Sequence, residues 1–306
     1  MRRLVAFVLF LTMVPATAAL GIDLDELLSR GNEASYSAEQ VIHCSTPDGD
    51  RDALVQIDQD GDEIRISSSV TDDVEIVAGE GGWTLTRGGG LVAEASVDGS
   101  DTITEPLYTV EDEGAVEYLG RAAMAYLLIR DGEPRAELVI DEETGAVVKA
   151  VTLTIDDEIY CERRFVSLDT DTPEFEEKQP VTERTAPALV EASSLPESVA
   201  GFELLDEYED EDGFTFVYYS DGFFSFALFE TPKTIALPEA AVVEFDQGLY
   251  QRAFTAGQVA YVWETREGGM ALVGDLPPDM HEAVLSEMPH PEDPGFLRRW
   301  WRALFG

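Results

Sequence analysis

The chain has 306 residues, of which 62 are Asp or Glu and 20 are Lys or Arg, for a formal net charge of −42. That balance excludes a nucleic-acid binder, which needs basic surface to displace counterions from phosphates. Because 44% of residues are hydrophobic and 9% aromatic, the acidity is not that of a disordered chain, and at roughly 100–200 residues per domain the length points to two domains with real cores.

The basic residues are unevenly placed. Arg2 and Arg3 open the chain, Arg298, Arg299 and Arg302 close it, and every carboxylate side chain lies between Asp23 and Asp293. Setting those five aside leaves 15 basic residues against 62 acidic ones, a body of −47. Such a body attracts cations or basic partners, or simply keeps a surface hydrated.

Met1-Arg2-Arg3, an apolar run over 4–14 and Ala16-Thr17-Ala18 follow one another. In that order they read as a secretory signal peptide over residues 1–18. The apolar run is short for a bilayer span, an uncleaved anchor being the alternative. An exported, periplasmic or otherwise extracytoplasmic protein is therefore expected. In an oxidising compartment the only two cysteines, Cys44 and Cys161, most simply pair with each other and tie the first strand of the first domain to its last. Two free buried thiols or a redox pair are the alternatives, although no Cys-x-x-Cys supports redox work.

A short amphipathic helix is expected over 24–28. Apolar runs at 40–44, 53–57 and 63–66 follow, the last two flanking Asp60-Gly61, and Val74, Ile76, Trp83 and Leu85 continue the alternation. This pattern predicts an antiparallel meander with tight turns. Over 111–129 the residues Ala115, Val116, Leu119, Ala122, Ala123, Tyr126 and Leu127 recur at helical spacing, with acidic residues before them and Gly132 after. A helix is predicted there. Strands resume at 136–140, turn at Thr144-Gly145 and continue over 147–151 and 153–161. The expected fold is α+β and mostly antiparallel β: a curved sheet wrapping a helix in the domain at 19–165.

Residues 166–194 are rich in Asp, Glu, Thr and Pro and read as an acidic linker. A smaller, mostly-β domain is expected at 195–288, with strands near 202–208, 214–219, 224–229, 242–245, 258–263 and 270–273 and a short helix starting at Pro278. Residues 289–306 form a basic, aromatic tail in which Arg298, Arg299, Trp300, Trp301 and Arg302 suit a membrane interface or an acidic partner. Docking on the chain's own acidic body is the alternative.

Chemistry finds little support. His43, His281 and His290 lack metal-binding spacing, and no Gly-x-Ser-x-Gly elbow occurs. The glycines near Trp83 match no phosphate-binding loop, and Asp58, Asp60 and Asp62 miss the glycine and closing Glu of a calcium loop. No enzyme activity, metal or cofactor is expected.

Several segments resemble the MucB/RseB family of sigma-factor regulatory proteins. Tyr219-Ser220-Asp221-Gly222-Phe223-Phe224-Ser225-Phe226-Ala227-Leu228-Phe229, Val273-Gly274-Asp275-Leu276-Pro277-Pro278, and Leu195-Pro196 with Gly201-Phe202 are similar to motifs of its second domain. Tyr36-Ser37-Ala38-Glu39-Gln40-Val41 and residues 141–149 are similar to parts of its first. The resemblance implies a first domain of the lipoprotein-carrier type, a half-open barrel with an apolar cavity. It also implies an exported negative regulator that binds the external part of a membrane anti-sigma factor and responds to a lipid or lipoprotein. An envelope lipid carrier without a regulatory partner is the alternative. Candidate cavity residues are Val41, Ile64, Ile66, Trp83 and Leu85 by strand alternation, with Leu119, Ala123 and Tyr126 by helix face. Candidate partner contacts are Tyr219, Asp221, Phe223 and Phe224.

Overall fold

The computed structural model describes Leu24, Leu28, Gly31 and residues 34–292, except 62, 69–73, 80–81, 88–89, 96–106, 174–187, 190–194, 210–214, 232–236, 238–239, 256 and 267. The expected signal peptide and the basic tail beyond residue 292 lie outside these residues. Alternating sequences and glycine turns produce two antiparallel sheets. The first runs through β1 (Ser35–Thr46), β2 (Gly49–Asp60), β3 (Glu63–Ser68), β4 (Val74–Gly79), β5 (Gly82–Arg87), β6 (Gly90–Ala95), β7 (Thr109–Tyr118), β8 (Arg121–Arg130), β9 (Glu133–Asp141), β10 (Val147–Leu153) and β11 (Ile159–Asp169).

Its spatial order is β6-β5-β4-β3-β2-β1-β11-β10-β9-β8-β7. Two meanders are thus joined where β1 pairs with β11, and β6 and β7 stand unpaired with each other at the two ends. That is a half-open barrel, mostly antiparallel β as expected. Cys44 and Cys161 are direct partners across the β1–β11 pair and form a disulfide. The bond closes a loop with a sequence separation of 117, which the chain-entropy model values at about 4–5 kcal/mol.

The helix predicted over 111–129 is not formed. Those residues make the β7–β8 hairpin, with Tyr118 opposite Arg121 and a two-residue turn at Leu119-Gly120. Both turn residues have positive φ, 52° and 75°, as do Asp131 and Gly132 at the next turn, 55° and 85°. Such paired left-handed residues match the twist of a two-residue hairpin. The run over 122–129 is apolar on both faces of β8, so its period does not separate strand from helix. Leu24 and Leu28, in the short helix expected before the first strand, are buried in the same core as Tyr126, Leu128 and Leu138.

The second sheet comprises β12 (Ala188–Leu189), β13 (Ser198–Val199), β14 (Phe202–Glu209), β15 (Thr215–Ser220), β16 (Ser225–Thr231), β17 (Ala241–Phe245), β18 (Gly248–Thr255), β19 (Gln258–Glu264) and β20 (Gly269–Gly274). Its main path is β12-β14-β15-β16-β20-β19-β18-β17. The β12 strand falls within the segment read as linker and pairs with β14. Helix Pro278–Ser286 follows, with Pro278 in the first turn, where a missing N–H costs nothing. Val217, Tyr219, Phe226 and Leu228 share one core with Leu128, Ala136 and Leu138 of the first sheet. Phe216, Tyr218, Ala227 and Phe229 form a separate core on the opposite face.

Candidate functional site

The polar groups worth following lie where the two sheets meet. Asp221 follows β15 and accepts the N–H groups of Phe223 and Phe224 at 3.0 and 2.7 Å, which shapes the turn into β16. Its other oxygen accepts the Tyr108 hydroxyl at 2.8 Å and an ion pair from Arg130 Nη1. Arg130 ends β8 and Tyr108 immediately precedes β7, so both come from the first sheet. Burial pushes the Asp221 carboxyl up; Arg130, the two N–H groups and Tyr108 pull it down without offsetting that penalty.

Arg135 makes a second link. Ala136 pairs with Leu128 and Pro134 with Ile129, which leaves Arg135 as the extra residue of a bulge. A bulge re-aims its side chain, and Arg135 Nη1 donates to Asp279 Oδ2 at 2.8 Å, in the first turn of the C-terminal helix. A third link comes from Arg163 on β11, whose Nη2 donates to the Gly257 carbonyl at 3.0 Å and whose Nη1 lies 3.7 Å from Asp275 Oδ2. Gly257 has φ +90°, and a Cβ there would come within 3.2 Å of that nitrogen. Arg51 Nε donates to the Phe254 carbonyl at 3.3 Å, and Arg252 Nη2 donates to Asp48 at 2.7 Å in the reverse sense.

Asp275 accepts the Ser225 N–H at 2.8 Å. Burial pushes its carboxyl up to about 6, against the pull of Arg163 and that N–H. Nearby His281 donates from Nε2 to the Leu276 carbonyl at 2.9 Å, and its Nδ1 accepts the Tyr261 hydroxyl at 2.8 Å. Burial drives it down to about 4, so it is a neutral structural imidazole. Among the described residues no group of three or more His, Cys, Asp or Glu is placed to hold a metal.

The predicted residues divide accordingly. Tyr219, Asp221, Phe223 and Phe224, expected on a contact surface, are all buried. The aromatics fill the shared core, and Asp221 is spent on the first sheet. Among the cavity candidates, Ile66 is buried with Ile64 packed against its core, and Tyr126 lies in the shared core. Ala123 is buried opposite Asp141. Val41 is on the other face: it pairs with Arg164 and with Leu54, which is 36% exposed, while its neighbour Ile42 points inward. Leu119 is 44% exposed at the hairpin turn. Trp83 and Leu85 are on β5, whose side chains fall outside the described residues. Tyr108, Arg130, Arg135, Arg163 and Asp279 were not expected at a site. The one signal pointing to this region is that Asp221 and Asp275 both lie in the segments that carry the family resemblance.

The two sheets thus meet along an extended seam with a shared apolar core and three arginine–carboxylate links. The chain matches the MucA/MucB complex of Pseudomonas aeruginosa at 17% identity and TM-score 0.51, covering 88% of this chain and 98% of that one. It matches MucB in complex with MucA(peri) at 18% and 0.50 with the same coverage. MucB alone matches at 17% and 0.54, over 86% of this chain and 95% of that one. The fold is MucB/RseB-like. No protein-family model and no curated protein matches the chain, so the likeness is one of architecture, and it spans both sheets of the MucB-like arrangement.

Proposed function

We propose that this chain is an exported, non-enzymatic regulator that binds the external part of a membrane anti-sigma factor and is released by a lipid or lipoprotein signal. The observation that carries the reading is that its two-sheet fold covers 98% of the MucB chain solved with MucA. The disulfide between Cys44 and Cys161 supports a periplasmic or similar oxidising location. Release would work by linkage: a ligand that favours the unbound conformation weakens the complex by its differential affinity.

In this reading Asp221, Phe223 and Phe224 act through the seam they hold, and the tail at Arg298, Arg299, Trp300, Trp301 and Arg302 adds a contact with membrane or partner. The test is calorimetric titration of the mature protein against the external domain of a membrane anti-sigma factor from the same organism. Saturable one-to-one binding is expected, and its absence rejects the regulator. Co-purified lipid without such binding would favour the carrier. Deleting 296–305 should weaken association while leaving the unfolding transition in place.

A further inference from the structure

We propose that β7, the open edge of the first sheet, is a docking edge that takes an extended basic segment of a partner protein as an added strand. Only the identity of the natural partner rests on the regulator reading; the edge stands on its own geometry.

β7 is ten residues long, ends the first sheet and pairs only with β8, so one side of its backbone has no neighbouring strand. The two-residue turn at Leu119-Gly120 decides which groups face that side. In such a hairpin the residues flanking the turn, Tyr118 and Arg121, exchange both of their backbone hydrogen bonds, and the pairs then alternate. Glu117 opposite Ala122 and Ala115 opposite Met124 therefore turn their N–H and C=O groups away from β8. Among the described residues nothing bonds to them there. The edges of the second sheet offer less: β17 is five residues long, and β14 is already met by β12 and β13.

The edge is also held in place. Tyr108, just before β7, donates its hydroxyl to Asp221 at 2.8 Å, and Tyr118 near its far end donates to the Phe165 carbonyl at 3.0 Å. A strand fixed at both ends loses little freedom when another is laid beside it, which favours association.

Charge selects the occupant. Glu111, Asp112, Glu113 and Glu117 are exposed, and residues 107–120 contain no lysine or arginine. Among the described residues none of these four carboxylates is ion-paired. Charge of one sign and a bulge, here at Glu113 between the paired Asp112 and Gly114, are devices by which edges avoid joining copies of themselves. A second copy of this chain, at −42, is repelled. A strand carrying lysine or arginine is attracted, and Val116 and Leu119, 40% and 44% exposed, offer it apolar contact. Strand addition of this kind takes its affinity from backbone hydrogen bonds and its selectivity from side chains.

The test uses the mature chain and two probes: a blocked peptide of alternating lysine and valine about as long as β7, and the external domain of a membrane anti-sigma factor from the same organism. Wild type is compared with Ala115→Pro and with Glu111→Lys plus Glu117→Lys. Proline removes an outward N–H that β8 does not use, so the hairpin is kept, and urea unfolding checks this. In the free wild type the Ala115 and Glu117 amides should exchange fast by NMR while Val116 and Tyr118 are protected. Peptide should slow the first two by roughly ten-fold or more, and both variants should bind it roughly ten-fold more weakly. Added salt should weaken binding to the wild type. No slowing at Ala115 and Glu117, or equal peptide affinity for all three proteins, overturns the docking edge. Peptide docking without binding of the anti-sigma domain rejects the regulator and supports the edge. An anti-sigma domain that binds all three proteins equally keeps the regulator and overturns the edge as its partner site. Self-association protecting the same two amides would assign the edge to a second copy and overturn the basic occupant.

Discussion

Asp141 and Asp221 are two buried aspartates, each held by one arginine and by N–H groups of the turn that it begins, yet their acidities move in opposite directions. Asp141 accepts Arg121 Nε at 2.7 Å and Nη2 at 3.1 Å, with the Thr144 N–H at 2.8 Å and hydroxyl at 2.9 Å. Burial pushes it up, but Arg121 and Thr144 outweigh that penalty and its carboxyl ends below the ordinary value. For Asp221 burial wins. The difference lies in the setting. Asp141 is paired within one sheet by a bidentate arginine that remains partly in water, whereas Asp221 is enclosed between two sheets and takes a single Nη1 contact from Arg130. Pairing inside a unit stabilises the charged form, and pairing across the seam only limits its cost.

The largest effect that could break this contrast comes from the arginines. Arg130→Ala leaves Asp221 charged, buried and without its cation, and should cost about 3–5 kcal/mol at neutral pH. Arg121→Ala removes a partly exposed cation and leaves Asp141 its turn donors from Thr144, and should cost about 1–3 kcal/mol. Urea unfolding at neutral pH compares them directly, and equal losses would remove the distinction between the two sites. Because a proton can neutralise Asp221, the Arg130→Ala loss should shrink on acidification.

The pH dependence of stability sharpens the same point. Asp275 is raised to about 6, so its protonated form favours the folded state and its contribution falls as pH rises from about 4 to about 6, by about 3 kcal/mol. His281 is lowered to about 4, so its contribution is whole above about 6.5 and is lost on acidification to about 4, again by about 3 kcal/mol. The two oppose each other over the same window. Asp275→Asn should expose the His281 loss, making the variant fall relative to wild type between about pH 6.5 and about pH 4. Thermal melts across that window check it; parallel curves for the two proteins would mean that Asp275 does not titrate there. Asp141, being lowered, adds stability that is lost only at lower pH, as its folded form is protonated.

These contrasts also explain what could be read before the fold was known. The Asp60-Gly61 turn and the alternating strands around it follow from a short-range rule acting on neighbouring residues, and the pairing of Cys44 with Cys161 follows from there being just two cysteines in a chain expected to be exported. The seam is different. Arg130 meets Asp221 across 91 residues and Arg135 meets Asp279 across 144. Nothing beside either arginine distinguishes it from a surface charge. Arg135 reaches inward only because of a one-residue slip between β8 and β9, and such a bulge leaves no mark in an apolar run. Phe223 and Phe224 were recognisable as important, but hydrophobicity alone does not say whether a hairpin tip faces a partner or the other half of its own chain.

The smallest expected effect tests the region where periodicity misled. Leu119 sits at φ 52° and is 44% exposed in the β7–β8 turn. A leucine in the left-handed region is strained by its Cβ, whereas asparagine tolerates that conformation through its short polar side chain. Leu119→Asn should therefore stabilise the protein by about 0.5–1 kcal/mol, since little apolar burial is lost. In a helix the same change would replace a strong helix former and core-facing side chain by a weak one, at a cost of about 0.5 kcal/mol for propensity and more for lost burial. The two structures predict opposite signs, so one denaturation midpoint decides between them. Gly120→Ala, at φ 75°, provides the complement: it should destabilise the hairpin by about 1 kcal/mol, whereas in a helix interior it would stabilise by a similar amount.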